Sequence, residues 1–408
     1  MIWGIAMLAR ELYMKRIRPF IGKDLVKVLT GIRRSGKSVM LALVREELHT
    51  AGIRDENILS YNFESMTTSH LRMAQALYEE VRQRVSAMEG RAYLFFDEIQ
   101  EVSEWERAIN SFRVDFDCDI YITGSNAKLL SGELATYLAG RYVEFVIYPF
   151  SFAEFLQMYR EVEPNATEAE AFRKYLKFGG MPYLGELGYQ TETSMQYLQD
   201  LYNAVELKDV IKRRQIRDVD LLERIMSYVM SNIGNPFSAT TISKYLKSEG
   251  RTVAPETVLN YLHACMEAYL FYAAKRQDLV GKKLLSVQEK YYLADHGIRE
   301  AILGTNGQDI QLVLENIVYM ELLRRGYAVT VGKAGSREID FIAQKQREII
   351  YVQVSYLLAS QETIEREFGA YAGVRDNYPK YVLSLDEFDM SRDGIRHENI
   401  RDFLLKET

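Results

Sequence analysis

Eight residues near the N-terminus constrain this chain more than any other feature. Gly31-Ile32-Arg33-Arg34-Ser35-Gly36-Lys37-Ser38 meets the pattern G-x-x-x-x-G-K-[ST] at every required position. The apolar run VKVLTG leads into it and the helical pattern SVMLALVREELH follows, so the segment predicts a strand, a phosphate-cradling loop and a helix. Its glycines let the backbone curl until the amides point inward, and the following helix adds the positive end of its dipole. The expected ligand is ATP with magnesium. On this reading Gly31, Arg33, Arg34, Ser35, Gly36, Lys37, Ser38 and Val39 line the nucleotide, Lys37 neutralises the β- and γ-phosphates, and the Ser38 hydroxyl ligates magnesium.

Such a site needs acids at the end of a second strand, and Tyr93-Leu94-Phe95-Phe96-Asp97-Glu98 supplies them. Four apolar residues before two acids form a common string; the phosphate loop gives it meaning. Asp97 is expected to hold magnesium through water, and Glu98 to orient and polarise the attacking water as a general base. A third apolar run ends in Thr123-Gly124-Ser125-Asn126, where Asn126 or, second, Ser125 is a candidate sensor of the γ-phosphate; an ordinary turn explains the string equally well. Arg141 is a candidate charge stabiliser, acting within its subunit or on a neighbour, with a plain surface arginine as the alternative.

Up to about residue 148 five apolar runs alternate with helical patterns, which predicts a parallel α/β sheet covered on both faces. The chain of 408 residues is long enough for several domains. The expected division is a P-loop ATPase core over 1–150, a helical lid over 151–232, a winged-helix region over 233–303 and a small α/β domain over 304–408. Cys118 and Cys265 match neither a disulfide framework nor a metal spacing, which points to a reducing cytoplasm. No run approaches the length needed to cross a bilayer, and MIWGIAMLAR lacks the features of a secretory signal. The five histidines show no zinc-binding spacing, and no Ser/His/Asp or Cys/His arrangement argues for a protease or esterase.

The chain resembles, over nearly its whole length, prokaryotic AAA-type ATPases that carry a C-terminal domain of restriction-endonuclease-like fold. The resemblance rests on KVLTGIRRSGKS, YLFFDEIQEVSEWERAI, YITGSNAKLLSGELATYLAGRYVEFVIYPFSFAEFL, FGGMP, ELKDVIKR and KYYLADHGIR, in that order. It implies an additional-strand P-loop core, a winged helix in the middle and a PD-(D/E)XK-like module at the end. Nucleases of that type need acids for magnesium and a lysine to help activate water. Glu315 and Asp340 stand where the pattern asks, but Gln353-Val354-Ser355 replaces Glu-x-Lys, which predicts a degenerate module kept for binding or assembly.

The leading expectation is therefore a magnesium-dependent ATPase that couples ATP binding and hydrolysis to domain rearrangement or partner binding. An ATP-gated DNA-binding or protein-binding module with negligible hydrolysis is the alternative, and an active DNA nuclease is the third. Residues 237 to 290 hold eight Lys/Arg against five Asp/Glu in a chain of net charge −6. Asn260 and His263 on the second helix of the winged-helix region are the residues that would meet double-stranded DNA, and Lys212, Arg213, Arg214 and Arg217 before it could contact phosphates, although a solvated helix face explains that basic stretch better. A protein partner or self-association fits the same elements.

Overall fold

A computed structural model describes residues 8–130, 138, 140–279, 283–304, 306–335 and 337–406. The chain forms two compact units: Met1–Pro149 with Glu267–Tyr269, and Phe150–Met266 with Leu270–Thr408.

In the first unit the helix α1 (Glu11–Ile17) precedes β1 (Val26–Thr30), α2 (Lys37–Thr50), β2 (Ile58–Asn62), α3 (Ala74–Val85), β3 (Ala92–Asp97), α4 (Trp105–Asp115), β4 (Cys118–Thr123) and β5 (Tyr142–Val146). The five strands pair in parallel in the order β2-β3-β4-β1-β5. The three central strands are buried along their whole length, as a sheet sandwiched between helices requires, and they read as mainly apolar runs whose interiors are broken only by Lys27 and Asp119, which pair with each other in the core. Rings of Tyr61, Phe63, Phe96 and Phe112 stack over one face, with Phe96 and Phe112 centroids 5.6 Å apart. Burying each such ring contributes about 1.5–3 kcal/mol. Because β4 lies between β1 and β3, the end of β4 falls between the phosphate loop that leaves β1 and the acids that end β3.

The second unit begins with α5 (Phe152–Val162) and α6 (Glu168–Phe178), each opened by a reciprocal capping box, Ser151 with Glu154 and Thr167 with Glu170. After α7 (Thr191–Ala204), the ELKDVIKR segment winds as a π-helix over Val205–Lys212, followed by α8 (Val219–Ser231). The chain continues through β6 (Pro236–Phe237), α9 (Ala239–Ser248), α10 (Pro255–Glu267), the hairpin β7 (Phe271–Asp278) and β8 (Lys283–Leu293), and α11 (His296–Leu303). Then come α12 (Ile310–Arg324), β9 (Ala328–Ala334), β10 (Arg337–Lys345), β11 (Glu348–Val354), α13 (Gln361–Gly369), β12 (Lys380–Ser384), β13 (Arg396–Asn399) and α14 (Ile400–Leu405).

Helix, helix and hairpin thus follow in the expected order. The last region exceeds the expected helix and three strands by β12, β13 and two helices. The hairpin is not a free wing, because β7 pairs in parallel with β9, and one eight-stranded sheet runs β13-β12-β11-β10-β9-β7-β8-β6. The FGGMP and ADHG strings meet inside this unit: the Gly180 amide donates to Asp295 Oδ2 at 2.6 Å. A Cβ at Gly180 would lie 2.2 Å from the Phe150 carbonyl oxygen, so only glycine fits there. These strings are architectural.

Candidate active site

The phosphate loop leaves β1 at its C-terminal end and enters α2. Gly31 sits at φ +134, where an added Cβ would lie 2.3 Å from the Ile147 carbonyl oxygen, so the turn depends on glycine. The Lys37 side chain is buried; its ammonium donates to the carbonyls of Gly31 and Ile32 at 3.1 Å and lies 3.9 Å from Glu98 Oε1. Arg33 pairs with Glu64 at 3.0 Å, while Arg34 adopts a left-handed backbone, φ 67, and is exposed.

Asp97 and Glu98 are aligned by one hydroxyl. Thr123, buried at the end of β4, donates to Asp97 Oδ1 at 2.5 Å and accepts from the Glu98 amide at 2.9 Å. Burial raises the Asp97 carboxyl above its ordinary range, opposed by hydrogen bonds from Thr123 and Ser38. Ser38 and Asp97 are therefore neighbours. An oxygen-only pair of hydroxyl and carboxylate suits a hard cation such as magnesium. Glu98 takes a left-handed backbone, φ 55, and its carboxylate accepts from Gln100 Nε2 and from Ser125 Oγ, the latter at 3.2 Å.

Of the β4-end candidates, Ser125 is thus the one hydrogen-bonded to Glu98; Asn126 is buried beside it, and its carbonyl caps the turn at Leu129. Arg141 is not brought to the loop of its own chain. Its carbonyl accepts from Val26, the first residue of β1, whereas the loop leaves the other end of that five-residue strand, roughly 15 Å away at the usual strand rise.

Three residues of this site were not read from the sequence. Thr123 and Gln100 lacked a motif. Arg10 lies in the segment considered only as a leader. Its guanidinium is buried and donates to the carbonyls of Ser35, inside the loop, and Tyr148, at 2.9 and 2.8 Å. Thr123→Val keeps the shape and deletes the hydroxyl, so both acids lose their common brace. Turnover should fall about tenfold or more while Thr123→Ser stays near native. Steady-state phosphate release of the two variants checks this, and equal loss in both would point to lost packing instead.

A second cluster lies in the other unit. Glu315 and Asp340 do come together, and with them Lys290 from β8, to which no sequence pattern pointed. The Lys290 ammonium is 3.0 Å from Glu315, 3.0 Å from Glu338 and 3.5 Å from Asp340. Lys290 thus sets one positive charge among three carboxylates. Gln353 accepts from the Asp340 amide at 3.1 Å, and Tyr292 donates to Glu315 at 2.6 Å. Burial alone would lower the Lys290 pKa, but Glu315, Asp340 and Glu338 together hold it above its ordinary value. Burial pushes Glu315 up to about 7 against the pull of Lys290. Among the described residues no group of three or more His, Cys, Asp or Glu is placed to hold a metal. On α10 Asn260 and His263 are exposed, as are Lys212, Arg214 and Arg217, while Arg213 pairs with Asp209.

Residues 23–156 match the family described as an AAA domain, and residues 169–309 match DUF8612, a domain of unknown function. An uncharacterised protein of Haemophilus influenzae is 38% identical over 402 residues, 98% of this chain and 99% of that one. The chain belongs to that protein's family. A Methanocaldococcus jannaschii protein, also uncharacterised, is 28% identical over 85% of this chain and 78% of its own length. Among solved structures, a Walker-type ATPase of Pyrococcus abyssi matches with a TM-score of 0.51 at 16% identity, over 72% of this chain and 95% of that one, which shows a shared fold. This family member accordingly carries an AAA-type P-loop ATPase domain on a parallel five-stranded sheet. No described helix is long and apolar enough to cross a membrane.

Proposed function

We propose that the protein is a magnesium-dependent ATPase that uses ATP binding and hydrolysis to drive rearrangement of its second unit or the binding of a partner. The observation that supports this most directly is the Thr123 hydroxyl, which braces Asp97 and Glu98 together while Ser38 lies beside Asp97 and Lys37 lies 3.9 Å from Glu98. Loop amides and Lys37 would take the triphosphate, and Ser38 and Asp97 would hold magnesium, which would supply neutralisation of phosphate charge. Glu98 orients a water and receives its proton. Ser125 and Gln100 keep the Glu98 carboxylate aimed, and its left-handed backbone fixes it just past the end of β3.

Lys37→Ala removes the one ammonium of the loop. Binding of a fluorescent ATP analogue with magnesium should weaken by about a hundredfold or more. Equal affinity in native and variant protein would overturn the assignment of the loop as the nucleotide site.

A further inference from the structure

The loop carries arginines at its third and fourth positions, and Arg33 is engaged by a carboxylate from another element. Glu64 follows the end of β2, and its Oε1 is 3.0 Å from Arg33 Nη1. The side-chain exposures differ, 13% for Arg33 and 47% for Glu64. Glu64 is placed by the strand end that carries the magnesium-site acid. Its amide donates to Asn62 Oδ1 at 2.9 Å, Asn62 Nδ2 lies 3.4 Å from Asp97 Oδ2, and the Phe63 amide donates to the Asp97 carbonyl at 3.1 Å. Phe63 is fully buried, so this short segment is anchored on both sides.

We infer that Arg33 is a charge stabiliser supplied within the chain, held by Glu64 at rest and handed to the γ-phosphoryl oxygens when ATP enters the loop. The inference rests on the reading of the loop as an ATP site. The physical argument is a comparison of partners. A half-exposed carboxylate in high dielectric holds a guanidinium weakly. A phosphate offers more charge and two oxygens that match the guanidinium fork, in a pocket lined by amides. Arg33 therefore exchanges Glu64 for the nucleotide. ADP lacks the group that drives the exchange, so the Arg33–Glu64 pair re-forms after hydrolysis and phosphate release. Glu64 belongs to the segment tied to Asp97 through Asn62 and Phe63, so the exchange at Arg33 reports the state of the γ-phosphate to the end of β2. Arg141, at the far end of β1, cannot do this within the chain.

The test uses full-length protein and measures ATP and ADP affinities separately from turnover. Arg33→Ala should weaken ATP binding by about tenfold, leave ADP binding within about twofold, and lower turnover by about a hundredfold. Glu64→Gln removes the charge that Arg33 meets at Glu64 and should tighten ATP about threefold with ADP unchanged, and this gain should vanish in the Arg33→Ala background. Arg33→Lys should recover part of the ATP preference, since it restores charge without the fork. An unchanged ATP-to-ADP affinity ratio in Arg33→Ala overturns the inference, as does a Glu64→Gln gain that persists without Arg33. Either result leaves the site reading intact as long as Lys37→Ala still loses nucleotide. If Lys37→Ala binds ATP like the native protein, it is the site reading itself that fails.

Discussion

Glu98→Gln lowers ATP turnover by about 10²–10⁴-fold and leaves ATP binding intact or slightly tighter. The amide cannot accept the proton of an attacking water, and that loss falls on the chemical step. Binding is spared because, on the proposed reading, the loop amides and Lys37 meet the triphosphate and Ser38 and Asp97 would hold its magnesium, with Glu98 taking no part. Removing the negative charge 3.9 Å from the Lys37 ammonium also removes a competitor for that ammonium. The backbone at φ 55 imposes no new strain, because the substitution changes only the side-chain tip. Phosphate release and analogue titration on one preparation separate the two effects. Phosphate release within about threefold of native would take Glu98 out of the mechanism.

Lys290→Met destabilises the second unit by about 3–5 kcal/mol at pH 8, because it leaves Glu315, Glu338 and Asp340 facing one another without their cation. For a unit of this size that is a fall in melting temperature on the order of 10 °C. The pH dependence gives the cause. Burial already raises the Glu315 and Asp340 carboxyls in the native protein, and Lys290 opposes the rise. Without it both rise further, so the folded state binds protons that the unfolded chain, with carboxyls near their ordinary values, does not bind at the same pH. Stability of the variant therefore increases as pH falls from 8 towards 5, and its deficit against native narrows. Thermal melts at pH 8 and 5.5 measure this. A deficit that stays constant with pH would assign the loss to packing.

The first unit was legible because buried parallel strands read as short, mainly apolar runs even where a charged residue such as Lys27 or Asp119 interrupts them, and all five expected strands are present within two residues at their ends. The turn from β1 into α2 was legible because its glycines stand at fixed spacing, and the place of Asp97 and Glu98 because they close an apolar run at the end of β3. Thr123 was not, since a threonine before glycine reads as a turn and only the position of β4 between β1 and β3 gives its hydroxyl two acids to brace. Arg10 acts across 25 and 138 residues of sequence on Ser35 and Tyr148, a pairing no local pattern encodes. Lys290 was hidden in the same way. Its partners come from α12 and β10, and its own strand was expected to belong to another module. Strand β13, Arg396–Asn399, is four residues long with two of them buried, too short and polar to show a period.

The shared sheet of the second unit also has a temporal side. β7 takes its parallel neighbour from Arg276 to Asp278 against Val331 to Lys333, so the hairpin is synthesised well before the strand that covers its edge. At about 5–20 residues per second the ribosome leaves that edge bare for several seconds. An open strand edge is a template for pairing with another chain. The interval before β9 emerges is therefore when the β7 edge is open to pairing with another chain.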